Sequence, residues 1–175
     1  MYIANEMIYN ADERLETPIL LSSGRHLGYR WTIISFHTHP CIYIRIPKKN
    51  NLYEKDYDDI SESTPIQSDG TLSYSRNYLW IPDEKNPKER IKDTSGWWLG
   101  WDFMRGISFC ASAKYENPEA KKKWTTSSLI DECYKIICQI AAIDSWNGIF
   151  DRWTDEGEYS KEKTAGHIKF SERKN

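Results

Sequence analysis

The sequence predicts an α+β fold: one domain built on a mainly antiparallel, twisted sheet with one long amphipathic helix packed against it. Three observations predict it. Cys41 to Ile46 and Trp97 to Phe103 alternate between two faces with the two-residue period of strands. Leu129, Ile130, Cys133, Ile136, Ile137, Ile140 and Ile143 instead recur at helical spacings of three and four. The chain has 175 residues, 39% hydrophobic and 29% charged, which suits one domain better than two. A chain of this length buries roughly 70% of its unfolded surface and needs no disulfide framework.

Taken in order, Tyr29 to Phe36 reads as a strand, His37-Thr38-His39-Pro40 as a turn, and Cys41 to Ile46 as the returning strand. In the second strand Ile42, Ile44 and Ile46 share one face, with Cys41, Tyr43 and Arg45 on the other. Pro47 ends it, because proline lacks the ladder N–H. A polar connection carrying Asp56, Asp58 and Asp59 follows, then the Asp69-Gly70 turn signal and a strand over Thr71 to Ser75 that the segment Asn77 to Trp80 extends or pairs with. Two prolines and alternating charges without apolar period make Pro82 to Ser95 an exposed loop.

Gly96 to Phe103 is a central strand with Trp97, Leu99, Trp101 and Phe103 on one side and Trp98, Gly100 and Asp102 on the other. Gly100 among so many rings signals close approach of a backbone, side chain or ligand. Ile107 to Ala111 continues the sheet after a turn at Arg105-Gly106. The helix starts near Ser128, with Asp131 three residues later as a variant capping box, and stops near Trp146-Asn147-Gly148. The domain therefore spans residues 1–153, with Ile149 to Trp153 docking back on it, and residues 154–175 form a polar, mobile tail.

Lys+Arg 24 against Asp+Glu 26 gives a net charge of -2, so no global positive field advertises bulk nucleic acid or an anionic membrane. No apolar run approaches the roughly 20 residues that span a bilayer, and no basic start precedes an apolar segment. The expected compartment is the cytoplasm, with Cys41, Cys110, Cys133 and Cys138 reduced and, by their apolar or aromatic neighbours, buried. The aromatic load is 14%, with 8 Trp and 11 Tyr against 5 Phe, so most rings carry a polar handle suited to stacking sites as well as cores. Burying eight tryptophans in one small core is difficult, so a homo-oligomer is compatible with the composition.

His37 and His39 stand two apart, so on an extended segment both imidazoles point to one side, as metal ligation or phosphate handling needs. The other histidines are His26 and His167 and there is no Cys/His cluster at zinc spacing, so no metal or cofactor is expected. Turn histidines that hydrogen-bond locally are the plainer alternative. His-x-Thr is half of a two-histidine phosphoesterase signature whose second copy is absent. Asp102, in an aromatic strand, needs a cation or hydrogen-bond donors; Arg45, Arg76 and Arg105 are the candidates, and a ligand-binding carboxylate is the alternative to a structural ion pair. The Asp56 loop lacks EF-hand spacing and is solvated surface, and no Walker loop, G-x-G-x-x-G or G-x-S-x-G is present.

Several pieces also fall in a recognisable order: Gly28-Tyr29, His39-Pro40-Cys41-Ile42-Tyr43-Ile44-Arg45-Ile46-Pro47, Asp69-Gly70-Thr71-Leu72-Ser73-Tyr74-Ser75, Trp97-Trp98-Leu99-Gly100-Trp101-Asp102 and Asp131-Glu132-Cys133. This succession resembles a group of small phage- and prophage-encoded proteins of unassigned function. Their pattern runs histidine before Cys-Gly-Tyr-Val, then His-Gly-Gly-Leu-Thr-Tyr-Ser, Trp-Trp-Ile-Gly-Phe-Asp-Cys-Ala-His and Glu-Glu-Cys. The chain departs where Ser68 or Asp69 replaces the second histidine and Phe103-Met104-Arg105 replaces Cys-Ala-His. Keeping the framework while losing two polar histidines favours a binder over a catalyst.

The resemblance implies an accessory protein that antagonises host defence, and three modes of action follow. Sequestration of a nucleotide-type small molecule would use His39, Tyr43, Arg45, Tyr74, Arg76, Trp98, Asp102 and Arg105, the rings stacking on a base and the arginines meeting phosphates. A phosphodiesterase or hydrolase would use His37 or His39 as acid–base group with Asp102. An inhibitor or adaptor would present exposed aromatics to a host protein.

Overall fold

The computed structural model describes residues 9, 17–86, 88–111, 119 and 121–145. Its centre is a five-stranded sheet of β1 (Ile19–His26), β2 (Tyr29–Ser35), β3 (Pro40–Ile46), β4 (Thr71–Arg76) and β7 (Trp97–Asp102), in the spatial order β1-β2-β3-β7-β4. Every neighbouring pair is antiparallel. β5 (Leu79–Pro82) and β6 (Arg90–Asp93) form a separate two-stranded hairpin, and α1 (Tyr57–Ser63) and α2 (Thr126–Ser145) are the helices. Among the described residues no helix is long and apolar enough to cross a membrane.

The alternation in β3 and β7 determines the two faces. Ile42 lies opposite Trp101 and Ile44 opposite Leu99; these join Trp31, Ile33 and the buried stripe Leu129, Cys133, Ile136, Ile137 and Ile140 of α2 in the larger core. On the reverse face Tyr43 lies opposite Gly100 and Arg45 opposite Trp98, and Ile34, Cys41, Tyr43, Trp98 and Leu79 of β5 make a second core. The sheet is thus covered by α2 on one side and partly by the β5–β6 hairpin on the other. This third layer buries Trp98, while Trp31, Trp101 and Trp124 are buried with the larger core, so the difficulty of burying tryptophans gives no argument for an oligomer at these four.

Several expectations need correction. β1 was not foreseen; it joins β2 through Leu27-Gly28, both at positive φ (49° and 82°), the left-handed pair a two-residue hairpin turn requires. The stretch read as an exposed loop, Pro82 to Ser95, contains β6, because hairpin pairing overrides its charged composition. Asp56 and Asp58 belong to no open loop: the Asp56 carboxylate accepts the Asp58 N–H (3.0 Å) and caps α1, so the described residues hold two helices rather than one. Ile107 to Ala111 forms only an isolated bridge, Ser108 to Lys122.

α2 starts three residues earlier than the Ser128–Asp131 signal suggests, at a reciprocal cap. The Ser128 N–H donates to Thr125 Oγ1 (3.1 Å) and the Thr125 N–H to Ser128 Oγ (2.9 Å). The helix stop at residues 146–148, the aromatic segment 149–153 and the tail 154–175 lie outside the described residues.

Candidate functional site

The reverse face carries polar groups at two places. The first is the end of β7, where Asp102 stands between Cys41 of β3 and Thr71 of β4. A register shift between Leu72 and Tyr74 accompanies Ser73, which donates to Asp102 Oδ2 at 2.6 Å. Asp102 is 6% exposed, and its buried Oδ1 has no hydrogen-bond partner. Arg105 Nε lies 4.0 Å from that oxygen on a side chain 57% exposed, a long and water-screened ion pair.

His39 completes this cluster. Burial disfavours its imidazolium and lowers its pKa against the opposing pull of Asp102, with Arg105 adding to the lowering. Its Nδ1 shares a 2.9 Å hydrogen bond with Thr38 Oγ1. His37 does not converge with it, contrary to the extended reading of His37-Thr38-His39: the segment is a tight turn with His37 at φ 66°, and His37 Nε2 meets the Thr17 carbonyl at 2.7 Å. Burial also raises the pKa values of the Cys41 thiol and the Tyr43 hydroxyl, keeping both neutral.

The middle of the face is filled by the protein's own rings. A Cβ on Gly100 would lie 2.6 Å from Tyr43 Cδ1 and 2.9 Å from Tyr74 Cβ, so the close approach signalled by that glycine is made by tyrosines. The two rings meet edge to face at 5.4 Å. Burial pushes the Tyr74 hydroxyl up to about 12. Arg45 and Arg76 flank Trp98 from β3 and β4, but their guanidinium groups bond apart, to Ser95 Oγ (3.3 Å) and the Ser75 carbonyl (2.9 Å). The eight candidate binding residues therefore share a face and its end without surrounding one space.

The second place is a cleft of about 660 Å³ between β1–β2 and the β5–β6 hairpin, a volume in the range of small-molecule sites. Trp98 lines it, 1% exposed, and its buried Nε1–H has no hydrogen-bond partner. Arg30 reaches across: its guanidinium carbon is 5.8 Å from the Trp98 ring centre and its Nη1 3.2 Å from Asp93 Oδ2. Burial works to raise the Asp93 pKa, but the two Ser95 hydrogen bonds together with Arg30 and Arg45 bring it below the usual carboxylate value. Arg25, Lys85, Asp83 and Glu84 complete the charged lining, so three cations face three carboxylates.

Sequence reasoning passed over Arg30 and Asp93. Arg30 was visible on the outward side of the Thr32–Ile34 alternation, whereas Asp93 was hidden in a segment without periodicity. Glu132 is a further buried tie that the sequence did not reveal; it is 5% exposed, and its Oε1 accepts from Ser68 Oγ (3.0 Å) and the Asp69 N–H (2.9 Å). No group of three His, Cys, Asp or Glu side chains able to hold a metal occurs among the described residues. Comparison with protein-family models, with curated proteins and with solved structures finds no match.

Proposed function

We propose that the protein binds a nucleotide-type small molecule in the hairpin cleft and holds it uncleaved, and that this sequestration serves a phage-encoded antagonist of host defence. The observation that carries the binding reading is Trp98: its indole N–H is buried without a partner in the wall of a ligand-sized cleft, beside an arginine. An unmet buried donor costs about 1–3 kcal/mol, which a base or ribose oxygen would recover. Arg30 offers its planar guanidinium for stacking, in place of the tryptophan and tyrosine rings expected from sequence. The balanced lining charge favours a ligand with few charges, such as a cyclic mononucleotide, over a triphosphate. The role in host defence rests on the family resemblance.

Calorimetric titration of cyclic and linear nucleotides into the wild type, Trp98→Phe and Arg30→Gln tests the reading. Each variant is expected to weaken binding by about tenfold, the equivalent of ~1.4 kcal/mol. Unchanged affinity in both would overturn it. A hydrolase reading is favoured by one separate observation, the bare Asp102 Oδ1 in the cluster with a neutral His39, and it predicts turnover that vanishes in His39→Ala.

A further inference from the structure

Cys138 stands apart from the other described cysteines. Cys41, Cys110 and Cys133 are buried, whereas Cys138 is exposed, contrary to the expectation from its apolar neighbours. It lies on α2, one helical turn after Tyr134, and lines a groove of about 900 Å³ between that helix and residues 66–69. His26, the last residue of β1, points at it: Nε2 is 3.9 Å from Cys138 Sγ. The imidazole lies flat on the Tyr134 ring, with centroids 3.9 Å apart and planes within 8°, and Tyr134 in turn meets Trp31 edge to face at 6.0 Å. Sheet and helix together therefore hold the imidazole beside the thiol. Beyond His26, the charged groups around the groove are Asp69 from the preceding loop and Asp131, Glu132 and Lys135 from α2; Lys135 is 3.6 Å from Glu132 and offsets part of that negative charge.

We propose that Cys138 and His26 form a thiol–imidazole pair that undergoes thiol–disulfide exchange with a low-molecular-weight disulfide, so that Cys138 is a redox modification site opening on the α2 groove. His26 Nε2 takes the thiol proton, and the thiolate attacks one sulfur of the disulfide. A new S–S bond forms as the old one breaks, and the departing thiolate recovers the proton from His26. The three buried thiols lack this access: burial holds Cys41 and Cys133 in the unreactive protonated form. The groove is separate from the hairpin cleft, so this inference does not depend on nucleotide binding.

The test is the rate at which the folded full chain reacts with 5,5′-dithiobis(2-nitrobenzoate) at pH 7. One fast equivalent is expected at pH 7, lost in Cys138→Ser. His26→Phe keeps a ring to stack on Tyr134 but removes the nitrogen. It should slow that equivalent about tenfold at pH 7. His26→Gln, compared at matched circular dichroism, should do the same. A fast equivalent that survives Cys138→Ser, or a wild-type rate in both His26 variants, would overturn the proposal.

Discussion

Gly100 shows how a single residue shapes the reverse face of the sheet. Its missing side chain is the space that the Tyr43 ring occupies, with Cδ1 and Cε1 each 2.6 Å from a would-be Cβ. Gly100→Ala should cost about 1–3 kcal/mol through overpacking. At this chain length that is a fall of roughly 2–4 °C in Tm per kcal/mol, readable by thermal melting. His39 makes a second prediction. Because burial lowers its pKa below the ordinary 6.5, the unfolded chain takes up a proton at higher pH than the folded one. Its contribution is fully present above about pH 6.5 and is lost as the pH falls below that value toward the folded pKa, with a slope of at most ~1.4 kcal/mol per pH unit. Denaturant melts of His39→Phe should lack this component; an unchanged pH profile would show that His39 is not its source. At this scale the sequence announced crowding at Gly100 but not its source, because which tyrosine lies opposite it on the neighbouring strand is tertiary information.

At the scale of elements, strands with strict alternation or beside a clear turn signal were legible, and β1 and β6 were not. β3 and β7 present isoleucines, tryptophans and leucine to one face every second residue, and their inward and outward sides follow directly. β1 reads Ile19-Leu20-Leu21-Ser22-Ser23-Gly24-Arg25-His26, with small residues where branched ones are expected. Gly24 is needed there because the Trp31 ring would lie 2.9 Å from its Cβ. The start of α2 was misplaced because two cap signals overlap, and the Thr125–Ser128 pair outcompetes Ser128–Asp131. Thr125→Ala should therefore destabilise by about 1 kcal/mol, measured in urea, and Asp131→Ala by much less. Equal effects would return the cap to Ser128.

At the scale of the whole molecule, the cleft exists because a hairpin folds over a sheet whose other face is committed to α2. None of its decisive pairs is local: Arg30 meets Asp93 and Trp98, residues more than sixty positions away in the chain. The sequence offered the face that Trp98 and Asp102 share, but its aromatic composition suits stacking sites and cores alike, and the structure buries Trp98. That shift changes the expected chemistry from stacking on tryptophan to stacking on a guanidinium and hydrogen bonding to an indole.

The most direct measurement is the fate of nucleotides mixed with the purified protein, followed by mass spectrometry of free and protein-bound species before and after denaturation. The account predicts that one low-charge nucleotide leaves the free pool and returns intact only when the protein is unfolded. Nucleotides that stay free and unchanged would contradict it and direct attention to a protein partner, while catalytic loss of one species would contradict sequestration in favour of the His39–Asp102 hydrolase.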